Sequence, residues 1–147
     1  MGVLLVRHAE AGDRHRWDGP DEERPLSEEG LRQAEALVSA LADFGIHRVL
    51  SSPYVRCTQT VAPLAAARGL PVEPSDDLAE GAGRVAVMRV RSLLDGPHTV
   101  LCTHGDVVED VLDGLGVRRD AETDKGATWV LGPDEPQLLP PPADTRR

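Results

Sequence analysis

The sequence predicts an α/β fold, a three-layer α/β/α sandwich around a mostly parallel central sheet. Three observations carry that expectation. Short apolar runs such as Val3-Leu4-Leu5-Val6 and Thr99-Val100-Leu101-Cys102 have the length and β-branched content of buried strands. Other segments place apolar residues at helical spacing, as in Leu31, Ala34, Leu37, Val38 and Leu41. The two patterns alternate along the chain, which is the signature of helices layered on a parallel sheet.

Each element follows in turn. Val3 to Val6 is the first strand, and behind it Ala11 to Pro25 forms a polar, Gly- and charge-rich loop, long enough to suggest a functional role. Ser27 caps the first helix, and Gly45 ends it. Arg48 to Ser51 is a second strand. Ser52-Pro53 then reads as a cap with proline at the first helical position, opening a helix that runs through Val61 and Leu64 to Gly69. Val72-Glu73 is a brief strand, and Ser75 to Gly83 an acidic loop. A third helix carries Val87, Val90 and Leu94 on one face. His98 to Cys102 is the fourth strand, and Val108, Val111, Leu112 and Leu115 mark the fourth helix. Lys125 to Leu131 and Gln137 to Leu139 read as closing strands, the last of them a candidate for antiparallel pairing. One domain is expected over 1–140, with a loose Pro-rich tail over 141–147.

Composition narrows the function. The chain of 147 residues has a net charge of -9 and only four aromatic rings, so Val, Leu and Ala must build its core. An acidic surface with no basic stripe argues against nucleic acid and anionic membrane as partners. No apolar run approaches the ~18 residues of a membrane span, and the first strand begins at once, so a soluble, cytoplasmic protein is expected. The two cysteines, Cys57 and Cys102, form neither a disulfide framework nor a metal-ligand pattern, and read as small buried hydrophobes. No dinucleotide fingerprint or Walker-type loop occurs, so no cofactor and no metal are expected.

The informative residues lie where strands give way to loops. The first strand delivers Arg7 and His8, the second Ser51 and Ser52 with Arg56 shortly after, and the fourth Thr103, His104 and Gly105. A buried strand has no packing reason to finish in basic side chains, and ligands of open α/β sheets collect at the strands' carboxyl ends. A neutral imidazole is a competent nucleophile toward phosphorus. Two guanidinium groups match the equatorial oxygens of a transferring phosphoryl group and disfavour protonation of a nearby histidine.

Four segments extend this pattern in order along the chain. They are Leu5-Val6-Arg7-His8-Ala9-Glu10, Arg24-Pro25-Leu26-Ser27-Glu28-Glu29-Gly30 with Gln33-Ala34, Ser51-Ser52-Pro53-Tyr54-Val55-Arg56-Cys57-Thr58-Gln59-Thr60, and Thr103-His104-Gly105-Asp106. Together they resemble the histidine phosphatase superfamily, of the phosphoglycerate mutase-like fold. The compact length is similar to that of SixA-like phosphohistidine phosphatases. Lys125-Gly126-Ala127-Thr128-Trp129-Val130 resembles histidine phosphatase domains fused behind Nudix hydrolase domains.

The resemblance implies that His8 is the phosphorylated nucleophile, with Arg7, Arg56 and His104 completing the phosphate pocket. Arg24, in the matched Arg-Pro-Leu segment, is a candidate for a supporting or substrate-anion contact. Many members use a mid-chain acid as proton donor, and Glu80 in Leu78-Ala79-Glu80-Gly81 is the candidate, with Asp76 and Asp77 nearby. Two departures stand out. Ala9 replaces the usual glycine, which is tolerable if its φ is negative, and Ala11 replaces a frequent hydroxyl residue. The loop Asp13 to Trp17 either rims the pocket or folds Trp17 down as a plug. The expected activity is a metal-independent phosphatase working through a phosphohistidine, most simply on a phosphohistidine-bearing protein. A small phosphate ester or nucleotide is the alternative substrate, and a phosphate-binding pseudo-phosphatase the alternative of another class. Oligomeric state is not readable.

Overall fold

The period-two alternation of the strands sorts their apolar side chains onto opposite faces of one six-stranded sheet. The computed structural model describes residues 1–142. The part of the expected tail from 143 onward lies outside the described residues. In chain order the elements are β1 (Val3–Arg7), α1 (Glu28–Ala40), β2 (Ile46–Ser51), α2 (Val55–Arg68), β3 (Val72–Pro74), α3 (Gly83–Leu93), β4 (His98–Thr103), α4 (Gly105–Gly114), β5 (Thr128–Leu131) and β6 (Gln137–Leu139). The sheet order is β3-β2-β4-β1-β5-β6. The first three junctions are parallel, while β5 runs antiparallel to β1, and β6 antiparallel to β5. The expected α/β sandwich is therefore observed, with a mixed sheet whose parallel part carries the strand ends of interest.

Leu4 and Val6 point to one face with Val49, Val100 and Cys102, where Leu37 and Leu41 of the first helical segment and Val61 and Leu64 of α2 cover them. Val3 and Leu5 point to the other face with Leu50, Leu101 and Leu131, beneath Ala86 and Val90 of α3 and Val107, Val108, Val111 and Leu112 of α4. Burial on both faces is why these strands read as unbroken apolar runs. A small third cluster, Ala9, Ala11, Leu26 and Ala34, seats the loop behind β1 on α1. There Gly30 lies so close to the Glu10 carbonyl that no Cβ would fit between them.

Helix ends show agreements at Ser27 and Gly69, which closes α2 in the left-handed conformation, and corrections at Gly45 and Ser52, since α1 already stops at Ala40 with Leu41 as its cap. Ser27 caps α1 as expected, its hydroxyl accepting from Gly30 N at 3.1 Å. Ser52 does not cap α2, which begins at Val55 after an extended Tyr54. Its hydroxyl is instead within 2.8 Å of His104 Nε2, a long-range partner that local spacing cannot reveal. Lys125 to Ala127 are a turn rather than strand, with β5 starting only at Thr128. The Gly126 amide points back at the His8 and Arg7 carbonyls, so this segment braces the end of β1 instead of extending the sheet. Among the described residues, no helix is long and apolar enough to cross a membrane.

Candidate active site

Strands β2, β4 and β1 are neighbours, so their carboxyl ends lie side by side. Arg7 is level with Thr103, and Ser51 with Cys102. The residues just beyond stay tied to the sheet, through His8 N to the Thr103 carbonyl (3.0 Å) and Ser52 N to the Cys102 carbonyl (2.9 Å). Three strand ends thereby hold His8, Ser52 and His104 against one another with backbone precision. All of Arg7, His8, Arg24, Arg56, Glu80 and His104 line a single cavity of about 660 Å3.

His8 is 6% exposed. Its Nδ1 lies 2.8 Å from the Ala9 carbonyl, which can only accept, so Nδ1 carries the ring proton and Nε2 keeps its lone pair. Burial lowers the pKa of His8 to about 3, with the charges of His104, Arg56 and Arg7 adding to the effect and the Ala9 hydrogen bond opposing it. At neutral pH the imidazole is uncharged with Nε2 unprotonated, the form a nucleophile needs.

His104 stands at the start of α4, its ring centroid 5.6 Å from that of His8. The Ser52 hydroxyl accepts from Tyr54 N at 3.3 Å and lies 2.8 Å from His104 Nε2. His104 Nδ1 is buried without a protein partner. Carrying a ring proton, it would be a donor for an anion.

Arg7 donates from Nη1 to the Thr123 carbonyl at 2.6 Å, and its guanidinium lies directly over Gly105. Arg56 is 1% exposed. Its Nη1 donates to the Asp21 carbonyl (2.8 Å) and its Nη2 to Asp21 Oδ2 (3.0 Å), while the Tyr54 ring lies 5.0 Å from Cζ. Thr60, one helical turn beyond Arg56, accepts from Ala9 N at 3.0 Å and donates to the Arg56 carbonyl at 2.7 Å. One hydroxyl thus joins the peptide next to His8 to the helix that carries Arg56.

Glu80 comes to the cavity, with Oε1 3.1 Å from Arg14 Nη2 and Oε2 3.9 Å from Arg56 Nη2. Asp77 faces away in an ion pair with Arg89, so of the acids in this loop Glu80 is the one the fold brings in. Arg24 is buried, and its donors go to Asp21 Oδ1 and to the Ala11 and Gly12 carbonyls. Its present partners make it a brace for the loop behind His8. Arg14 and His15 form part of the rim, whereas Trp17 bonds the Pro20 carbonyl and does not plug the cavity. Ala9 is accommodated, because among the described residues every positive φ belongs to a glycine.

Two features escaped the sequence reading. Asp21 gathers Arg14, Arg24 and Arg56 on one carboxylate, a meeting of three segments with no local signature. The cavity is also lined by Asp106, Glu109, Asp110 and Glu122. The first three sit on α4 at a spacing that could have been read as one acidic face.

The His8 and His104 imidazoles and the Arg7 and Arg56 guanidinium groups, brought together at one end of an α/β sheet, have the chemistry to bind an anion such as a phosphoryl group. The chain belongs to the histidine phosphatase superfamily (branch 1), whose family model matches residues 3–92, in agreement with the expected enzyme class, a phosphatase hydrolase. It is 35% identical to an 8-oxo-(d)GTP phosphatase of Mycolicibacterium smegmatis over 93% of its length, but covers 46% of that protein. The chain thus spans less than half the length of the curated relatives it matches. Its fold is that of the protein histidine phosphatase SixA complexed with tungstate (TM-score 0.77, 22% identity, 95% of this chain and 94% of that one). A mycobacterial glucosyl-3-phosphoglycerate phosphatase is similarly built (TM-score 0.72, 14% identity, 96% and 98% covered).

Proposed function

We propose that the protein is a metal-independent phosphatase that works through a phosphohistidine on His8. The observation that carries this reading is the unprotonated, partner-free Nε2 of a buried His8, set between Arg7, Arg56 and His104. Nε2 attacks phosphorus, and the bond to the leaving group breaks with its electron pair going to that group. Arg7, Arg56 and Nδ1–H of His104 hold the three equatorial oxygens, where charge is spread in the transition state. The Ala9 carbonyl stabilises the proton on Nδ1 as the ring becomes a cationic phosphoimidazole. Water then attacks phosphorus and the P–N bond breaks, returning neutral His8 and free phosphate. Glu80 gives a proton to an alkoxide leaving group and takes one from the attacking water. Acid-labile label on His8 after quenching with radioactive aryl phosphate tests the reading, as does loss of turnover in a folded His8→Ala variant. Phosphate binding with neither label nor hydrolysis would make the protein a pseudo-phosphatase instead.

The substrate we favour is a phosphohistidine displayed on another protein. The carboxylates of Asp106, Glu109, Asp110 and Glu122 in the cavity lining oppose a leaving group that carries further phosphates, and an imidazole leaving group needs little help from an acid. A nucleotide is the second reading, favoured by the relative named 8-oxo-(d)GTP phosphatase, although more than half of that protein lies outside the match. Phosphate release from a panel of phosphohistidine proteins, nucleoside mono- and diphosphates and alkyl phosphates separates the two.

A further inference from the structure

A buried guanidinium is costly unless its charge is paired and its donors are aimed. Arg56 meets that need through one residue of the 11–25 loop. Asp21 accepts from Nη1 with its backbone carbonyl and from Nη2 with its carboxylate. Because a guanidinium is planar, fixing both terminal nitrogens fixes the plane and the direction of every remaining N–H. The remaining donors include Nε, which is buried without a protein partner.

Asp21 orients Arg56 without cancelling its charge. The same carboxylate also serves Arg24 Nε at 3.1 Å and Arg14 Nε at 3.6 Å, and Glu80 is the other carboxylate in contact with this group. Arg14, Arg24 and Arg56 share Asp21 and Glu80, three guanidinium groups to two carboxylates, so the surroundings of Arg56 keep a local positive charge although Asp106, Glu109, Asp110 and Glu122 also line the cavity. The carboxylate is itself anchored, since Arg24 is pinned by the Ala11 and Gly12 carbonyls just behind His8. The loop that follows the nucleophile thus returns to steady the arginine on the opposite wall.

We propose that Asp21 is a positioning residue, holding Arg56 aimed at the equatorial oxygens of the transferring phosphoryl group. This rests on the proposed function, in which Arg56 binds that group. Misaim penalises the transition state, whose oxygens sit at fixed places, more than a ground-state phosphate that can shift to follow the arginine. Removing the Asp21 carboxylate also takes a negative charge from the pocket, so free phosphate should bind no more weakly.

The test compares wild type with Asp21→Ala and Asp21→Asn, each alone and combined with Arg56→Lys, using an aryl phosphate as substrate and inorganic phosphate as competitive inhibitor. Asp21→Ala should lower kcat by ~10- to 100-fold while the phosphate inhibition constant stays within about twofold or tightens. In the Arg56→Lys background the same change should cost under ~3-fold, because the two residues act as a unit. Asp21→Asn keeps the side chain's size and a neutral acceptor, so it serves if the alanine variant unfolds, with the same split between kcat and inhibition and a smaller loss. Parallel weakening of turnover and phosphate binding would show a merely structural loop contact and overturn the proposal. So would effects of Asp21 and Arg56 that multiply independently. A wild type that neither turns over aryl phosphate nor labels His8 would refute the proposed function itself. A working wild type matched by Asp21→Ala would refute only the role of Asp21.

Discussion

A single methyl group placed at Gly105 separates stability from activity. A Cβ built there would lie 2.7 Å from Arg7 Cζ, 2.8 Å from Nη2 and 2.9 Å from Nε, all in the guanidinium of a flexible side chain. Ordinary contact begins near 3.4 Å, so the head group must retreat by about 0.7 Å. The fold loses little by this, because the side chain can bend. Alanine at the first position of α4 even gains helix propensity, worth up to ~1 kcal/mol relative to glycine. The site loses much more, since misplacement of a catalytic group by roughly 1 Å can cost on the order of 100-fold in rate. We therefore expect Gly105→Ala to lower kcat/KM for an aryl phosphate by ~10- to 100-fold, with thermal stability unchanged or slightly raised. Steady-state kinetics beside calorimetric unfolding measures both. Activity within threefold of wild type would mean that Arg7 is not held where the transferring oxygens need it. A large loss of stability would mean that the clash falls on the backbone and the reasoning about a yielding side chain is wrong.

Three further outcomes follow from the same geometry. The pKa of His8 is about 3 in the folded protein and near 6.5 when unfolded, so the unfolded chain takes up the proton first. Its contribution to stability is intact above pH 6.5 and is lost as the pH falls toward 3, by up to ~1.4 kcal/mol per pH unit; denaturant titrations from pH 7 to 4 should show a steeper decline in wild type than in His8→Ala, and equal slopes would contradict the pKa. Gly30→Ala would drive a Cβ into the Glu10 backbone carbonyl, which cannot bend away, and chemical denaturation should report a loss of ~1–3 kcal/mol, whereas wild-type stability would mean the approach of α1 to that loop is not close. Glu80→Gln should slow an alkyl phosphate strongly and an aryl phosphate or phosphohistidine weakly, because only the alkoxide needs a proton as it leaves; equal slowing of all three in parallel rate assays would assign Glu80 a different task.

What could be read from the sequence was whatever a strand's own end encodes. Arg7, His8, Thr103 and His104 follow apolar runs that end abruptly, and an α/β sheet gathers such ends by its topology, so their convergence was legible before any coordinates. In the acidic loop the motif pointed to Glu80, with Asp76 and Asp77 beside it, but what separates these acids in space is non-local, Arg14 meeting Glu80 on one side and Arg89 drawing off Asp77 on the other. Ser52 carried the signature of a helix cap and was misread, since a hydroxyl satisfied by an imidazole 52 residues away leaves no local trace. Asp21 was invisible for the same reason. Its meaning lies in three arginines that come together only when the loop folds back.

The placement of β1 has a consequence for how the molecule comes apart. This strand is flanked on both edges, by β4 and β5, and its last amides, on Arg7 and His8, donate to the Ala127 and Thr103 carbonyls. Hydrogen exchange at these amides requires the sheet itself to open, whereas the stretch from Gly12 to Pro20, ahead of Asp21, is solvent-facing and can open on its own. On warming, the rim that meets the leaving group should therefore melt before the pedestal that carries the imidazole. Selectivity among substrates would fade at temperatures where the chemistry at phosphorus still proceeds, and the slowest-exchanging amides of the chain would lie directly beneath its most reactive atom.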